Sequence, residues 1–116
     1  MARNIIDLPT LGDDGKLYRD TAVDMVESLI PNPWESCHAP DLLELENGDL
    51  LCCWFAGSRE GNADISIAVA RLPADAEQWE QPVIVSDDPT RSEQNPSLFQ
   101  NPNGDIWLMY TAQAAK

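Results

Sequence analysis

From Pro40 onward, apolar and polar positions fall into short runs that fit strands and no helix. Asp41 to Glu46 and Asp49 to Ala56 flank Asn47-Gly48. Asn-Gly supplies the two positive-φ residues of a type I′ turn, so the pattern predicts a hairpin. A polar loop, Gly57 to Asn62, precedes Ala63 to Arg71, where Ile65, Ile67 and Val69 alternate with smaller or polar residues, as on a strand with one face in a core. After a turn containing Pro73 and Asp75, and after Trp79, Pro82 to Ser86 predicts a fourth strand. Before Pro40 the pattern is weaker. Residues 1–20 are polar, with a turn at Gly12-Asp13-Asp14-Gly15, and predict a loose arm. Thr21 to Ile30, closed by Pro31 and Pro33, fits neither period cleanly; it is read as a strand whose partner lies outside this chain.

The first hairpin then recurs. His38 to Trp54 lies over Gln94 to Tyr110 without a gap, an offset of 56 residues, with Pro40, Leu42, Asn47, Gly48 and Asp49 returning as Pro96, Leu98, Asn103, Gly104 and Asp105. Self-similarity at such a period marks an array of supersecondary units. The expected fold is all-β: a partial β-propeller of about one and a half four-stranded antiparallel blades. Its parts are an N-terminal arm with a strand over 1–33, a first blade over 34–88, and the first hairpin of a truncated second blade over 89–116. A small β-sandwich is the alternative, but it gives no reason for an ungapped repeat. A half-built second blade leaves an open apolar face beyond Leu98, Ile106 and Leu108, so self-association through the open blade edge is expected. Tyr110 is assigned to packing in that second hairpin.

Composition narrows the partners. The 116 residues carry a formal net charge of -13, and the sequence pI is about 4.1. Nucleic acid and anionic membrane both require a basic patch, so neither is an expected partner. Apolar runs such as Leu50 to Ala56 are strand-sized, and Met1 to Thr10 has no apolar stretch of the kind a secretory leader needs, so a cytoplasmic location is expected. Cys37, Cys52 and Cys53 cannot form a disulfide framework, because the count is odd and strand neighbours point to opposite faces. No second Cys/His pair accompanies Cys37-His38, so no metal and no cofactor is implied.

The run Ser36 to Asp64 resembles the first blade of the bacterial sialidase-like proteins, the BNR-repeat or neuraminidase-like family. The likeness extends from about Pro33 to Thr111, and Trp54-Phe55-Ala56-Gly57-Ser58-Arg59-Glu60-Gly61-Asn62-Ala63-Asp64 is its most specific part. It implies six-bladed propellers, of which this chain is the N-terminal portion. In the family an arginine of an Arg-Ile-Pro motif, one of a triad gripping the substrate carboxylate, opens the first strand; His38-Ala39-Pro40 stands there instead. An imidazole lacks the bidentate fork of a guanidinium, and the exchange weakens the case for sialic acid specifically. Arg59 matches a sugar-binding arginine, Asp64 the general acid/base, and Asn95 a substrate-contacting position of the second blade. The family's tyrosine nucleophile with its glutamate partner and the other two triad arginines belong to later blades.

The resemblance therefore implies an N-terminal fragment of an exo-glycoside hydrolase acting on terminal sugars of glycans, inactive alone. The alternative is a non-catalytic carbohydrate-binding propeller fragment. Simpler roles stand beside these: His38 as a strand-entry hydrogen-bonder, Arg59 and Glu60 as a solvated loop pair, Asp64 as a loop brace receiving backbone N–H groups. Asp75 and Trp79 resemble a worn Asp-box turn, one residue short and without its glycine, and are read as structural.

Overall fold

A computed structural model describes residues 5–7, 12–20 and 22–115, without the side chains of residues 6 and 7. Most of the N-terminal stretch read above for a leader lies outside the described residues, as do Thr21 and Lys116. The described chain is all-β. Strands β1 (Ile6–Asp7), β2 (Tyr18–Asp20) and β3 (Met25–Glu27) form a small sheet in which β2 runs parallel to β1 and antiparallel to β3. Strands β4 (Ser36–Glu44), β5 (Leu50–Gly57), β6 (Ser66–Leu72) and β7 (Val83–Ile84) follow in order as one four-stranded antiparallel sheet. A separate hairpin pairs β8 (Arg91–Gln100) with β9 (Ile106–Ala114). One four-stranded blade followed by the first hairpin of another is the arrangement of a partial β-propeller.

The repeat holds to the single residue. In β4–β5 the register shifts between His38 and Asp41, and in β8–β9 between Gln94 and Ser97, the same offset of 56. At the shift the backbone turns left-handed in both copies, at Ala39 with φ 54° and at Asn95 with φ 53°. Each is followed by a proline, Pro40 or Pro96, which donates nothing to a ladder and is tolerated at a bulge. Pairing resumes identically, Asp41 opposite Cys53 and Ser97 opposite Met109.

The turns differ from the expected type I′. Only the glycines take positive φ, 91° at Gly48 and 90° at Gly104. The Gly48 N–H donates to Leu45 O and the Leu45 N–H to Asp49 O; Gly104, Asn101 and Asp105 repeat this geometry. This is a three-residue loop, a type I turn closed by a left-handed glycine. Pro102 explains the choice in the second copy, since its ring presets the φ of the first turn position. The Asn47 side chain is used otherwise, accepting the Asp49 N–H at 3.0 Å.

Strand β5 is buried along nearly its whole length, because the sheet has a core on each side. Cys52, Trp54 and Ala56 face a first core with Ala68, Ala70, Leu72, Leu17 and Trp79. Leu51, Cys53 and Phe55 face a second, with Ile65, Ile67 and Leu98, which is the junction between the blade and the following hairpin. The alternation at Ile65, Ile67 and Val69 was expected to bury one face of β6; Ala68, Ala70 and Leu72 bury the other as well. The fourth strand is shorter than expected, with only Val83 and Ile84 in the sheet, although the Val85 N–H still donates to Ile67 O.

Two further expectations are corrected in the N-terminal region. Residues 12–20 are not a loose arm. Leu17 and Tyr18 are buried, the Leu17 N–H donates to Glu77 O at 3.0 Å, and the Trp79 N–H donates to Gly15 O at 2.9 Å. The segment is thus stitched antiparallel to the chain just after the blade's turn, with Lys16 opposite Gln78. Nor does the strand within 21–30 lack a partner, since β3 pairs with β2. Together this segment, with Ile30 and Trp34, lids the first core; Trp34 meets Trp54 edge-on at 6.4 Å. The turn containing Pro73 and Asp75 is tied back by Asp49, which accepts the Ala74 N–H at 2.8 Å and pairs with Arg71 at 3.3 Å. Trp79, 6% exposed, packs into that core, in line with a structural role.

Two outcomes follow. Leu17→Ala empties part of the first core and is expected to lower stability by about 2–4 kcal/mol, measured by urea denaturation; a loss below about 0.5 kcal/mol would mean the segment is not docked. Burial pushes the Cys52 and Cys53 thiols up to about 11, with the Asp41 charge adding to it. Since the thiolate is the nucleophile, Cys37, the exposed one, should react first with a disulfide reagent at pH 8, the other two only with denaturant.

Candidate functional site

The register gathers the candidate residues at one end of the sheets. Ser36 lies opposite Gly57 at the start of β4 and the end of β5, and Ala56 opposite Ser66 carries this end across to β6. The Glu93 N–H donates to Ile65 O at 3.0 Å, which brings the start of β8 alongside the residue after Asp64. Residues 36–38, 57–64 and 93–95 therefore share one rim.

Along this rim the loop from Gly57 to Ile65 is built from short-range bonds. The Asn62 N–H donates to Arg59 O at 3.1 Å, the Ile65 N–H to Asn62 O at 3.2 Å, and Asn62 Nδ2 to Ser58 Oγ at 3.2 Å. Gly61, at φ 93°, turns the loop where a side chain would be strained. Asp64 is exposed, and its Oδ2 accepts the Ser58 N–H at 3.3 Å, the loop-bracing bond that the simpler role for this residue requires. Gly57 is packed against it: a Cβ there would stand 2.8 Å from both Asp64 O and Ile65 Cδ1. The Arg59 side chain is exposed and makes no ion pair among the described residues, with Glu60 or otherwise.

His38 is exposed immediately before the bulge, its ring 5.9 Å from that of Phe55 and tilted 36°. It shares a cleft with Trp54, Asn32 and Pro40. Asp64 lines two other hollows, one with Trp34 and Gly57 and one with Ser66, Ser86 and Asp88. Asn95 is the left-handed bulge residue, a conformation asparagine tolerates, and its Nδ2 donates to Thr111 Oγ1 at 3.4 Å. The four residues thus occupy a common rim, but these clefts separate His38 from Asp64. Asn95 repeats Ala39, while the repeat of His38 is Gln94, which is buried and donates from Nε2 to Ser92 Oγ at 2.8 Å.

One group on this rim escaped the sequence reading. Glu93 is only 1% exposed, and its Oε1 accepts the Asp88 N–H at 3.3 Å. Tyr110 stands beside the same carboxylate; partial burial first, then the Glu93 charge, hold its phenol above its ordinary value. Tyr110 is 39% exposed, which corrects its assignment to packing. The difference from its counterpart has a simple cause: Trp34 covers Trp54, but the residue at the same offset before β8 is Thr90. Asp88, between the blades, is held below the usual carboxylate range by bonds from the Thr90 hydroxyl at 2.6 Å and N–H at 2.9 Å, assisted by Arg91. The only advance signal for Glu93 was its place at the entry of the repeated strand, where Cys37 stands in the first copy.

The comparisons with known proteins agree with this architecture at the level of the family. Residues 48–116, more than half of the chain, match the family model of the BNR repeat-like domain, and the chain belongs to that family. The match includes Arg59, Asp64 and Asn95 and begins after His38. No curated protein and no solved structure matches the chain.

Gly57→Ala tests whether the rim is as tightly packed as it looks. The added methyl must displace the Asp64 backbone, so the amide resonances of residues 58–65 are expected to shift while those of the 101–105 turn stay in place; an unchanged 58–65 spectrum would refute the packing.

Proposed function

We propose that this chain forms one wall of the sugar-binding site of a sialidase-like exo-glycoside hydrolase, with Asp64 as general acid/base and His38, Arg59 and Asn95 as contacts to a terminal sugar. The observation that carries this is the shared rim. Residues 36–38, the 57–64 loop and residues 93–95 meet at one end of the sheets, held there by the β4–β5 register and the Glu93-to-Ile65 bond. A carboxyl, a guanidinium, an imidazole and an amide at such a rim are the groups that hydrogen-bond hydroxyls and protonate a glycosidic oxygen.

The chemistry needs more than these residues. A general acid must be dry enough to hold its proton near neutral pH, and Asp64 is exposed on this chain. The drying would have to come from further blades and from the substrate. A tyrosine and glutamate in later blades, in the family's manner, would supply the nucleophile, so this chain alone is proposed to be inactive. A carbohydrate-binding propeller without catalysis is the second reading, favoured by His38 standing where the family has an arginine and by the exposure of Asp64. In both readings the partner is a glycan.

In a protein carrying the remaining blades, Asp64→Ala is expected to reduce turnover of an aryl glycoside by a factor of about 100 or more while product binding persists. Unchanged turnover would remove Asp64 from the acid/base role. Absence of turnover in the parent protein, with retained glycan binding that Arg59→Ala weakens, would favour the binding module.

A further inference from the structure

Leu98 and Leu108, expected on the open face of the second hairpin, pack with the second core instead, and Phe99, Trp107 and Met109 are the exposed apolar residues there. The turn of that hairpin is a different kind of surface, because its hydrogen bonds close within residues 100–105. The first copy shows what a finished blade does to such a turn: Asn47 is exposed although all four strands of its blade are present. Asn103 occupies the same place at the offset of 56 residues and is also exposed, so it faces water whether or not a third strand follows.

Both turns set an asparagine directly before a glycine, and that pair carries a reaction of its own. The glycine nitrogen can attack the carbonyl carbon of the asparagine side chain, with no Cβ to screen it. Among the other described asparagines, Asn32, Asn95 and Asn101 precede prolines, whose nitrogen has no proton to give up. Asn62 precedes Ala63, and its carboxamide is engaged with Ser58 Oγ at 3.2 Å.

The two copies differ in what holds the carboxamide. In the first turn Asn47 Oδ1 accepts the Asp49 N–H at 3.0 Å, which fixes the side chain over its own backbone. In the second turn the Asp105 N–H donates to Asn101 Oδ1 at 2.9 Å, and the Asn103 N–H donates to the same oxygen at 3.0 Å. Leu45 stands where Asn101 does and has no acceptor to offer. The Asn103 carboxamide is therefore left without a hydrogen bond among the described residues, free to bring Cγ towards the Gly104 nitrogen. That nitrogen is held alike in both copies, the Gly48 N–H by Leu45 O and the Gly104 N–H by Asn101 O, each at 2.9 Å. The restraint on the nucleophile slows both turns, so the side chain decides between them.

We propose that Asn103 is a modification site, deamidating spontaneously and forming isoaspartate, and that Asn47, in the same dipeptide, is protected. The Gly104 nitrogen gives its proton to water or hydroxide and bonds to Asn103 Cγ. The bond from Cγ to Nδ2 breaks, and Nδ2 leaves as ammonia after taking a proton back from water, so a cyclic imide remains. Water then opens the ring at either carbonyl. Cleavage between the nitrogen and Cγ gives an aspartate in an ordinary main chain. Cleavage of the other carbon–nitrogen bond gives isoaspartate, whose main chain runs through Cγ and is one carbon longer. Water is the only co-reactant, nothing is oxidised or reduced, and either product adds a negative charge. The longer product alters the loop that the Gly104-to-Asn101 bond closes, and Gln100 carries the change to the first blade. Its Nε2 donates to Gly104 O at 3.1 Å, and its Oε1 accepts the Glu46 N–H at 3.0 Å.

The experiment ages the 116-residue chain in mildly alkaline buffer and follows both turns by peptide mapping with mass spectrometry; Arg59, Arg71 and Arg91 put them in separate tryptic peptides. In the native chain Asn103 is expected to convert about 2- to 10-fold faster than Asn47, the rate equivalent of one net hydrogen bond. In urea the two rates should converge. Asn101→Leu, which restores the residue of the first turn, should return the Asp105 N–H to the Asn103 side chain and slow its conversion to the rate of Asn47. Asn101→Ala takes its place should the leucine variant lose its far-UV circular dichroism. Equal native rates, or a faster Asn47, overturn the proposal. So does a difference that persists in urea, which would put its cause in the flanking sequence, or an Asn103 rate that neither Asn101 variant changes. Formation of isoaspartate is also expected to shift the Glu46 amide resonance and leave that of Gly61 in place, whereas Asn103→Asp, which adds the charge and no main-chain atom, leaves both. A Glu46 resonance unmoved by isoaspartate overturns the coupling through Gln100.

Discussion

A sheet that is apolar on both faces must be covered on both, and this requirement organises everything else in the chain. Neighbouring residues of β5 serve opposite cores: Cys52 and Trp54 face one side, Cys53 and Phe55 the other. Water on either side would leave a contiguous apolar patch of the kind folded monomers rarely tolerate. The following hairpin covers one face by inserting β8. The other is covered by a segment of different character, residues 15–34, which reaches the blade through Leu17, Ile30 and Trp34. The same strand therefore meets a repeat of itself on one side and a non-repeating lid on the other.

Precise repetition of the hairpin is what lets one unit stack on the next. The bulges at Ala39 and Asn95, the prolines after them, and the glycine-closed turns at Gly48 and Gly104 fall at one offset, so the two hairpins bend and twist alike. A bulge increases local twist and re-aims the residues beside it. Here those residues are His38 in one copy and Gln94 in the other, at the rim where the candidate chemistry sits. Backbone geometry is shared between the copies while side-chain environment is not. Blade one buries the entry of β8, including Ser92, Glu93 and Gln94, and no described element buries Cys37 and His38 at the entry of β4.

What was legible in the sequence was local or periodic. The hairpins could be read because Asn-Gly-Asp recurs between apolar runs, and the ungapped repeat made the propeller-like arrangement preferable to a sandwich. The turn class is not legible from Asn-Gly alone, because Asn47 keeps an ordinary backbone and spends its side chain on Asp49 instead. The docking of residues 15–17 against 77–79 was invisible for a different reason: a short antiparallel bridge across that separation leaves no periodic trace in a polar segment. The enclosure of Glu93 and the exposure of Tyr110 are not legible, because burial at a blade junction depends on the neighbouring blade. Pattern within β8 and β9 carries no information about that neighbour.

The same asymmetry bears on the candidate site. Desolvation is what converts a surface carboxyl into a proton donor useful at neutral pH, and the two carboxyls of this rim differ in how far they are enclosed. Glu93 is enclosed and accepts a backbone N–H, with the Tyr110 phenol beside it, whereas Asp64 is open to solvent with one bond from the loop it closes. The enclosed group is held by the junction, so its environment is complete within this chain. The open group is the one whose surroundings a further blade or a bound sugar would change. A carboxyl whose environment depends on what is added to it can couple binding to proton transfer, whereas the surroundings of Glu93 are already set by the junction between the blade and the hairpin.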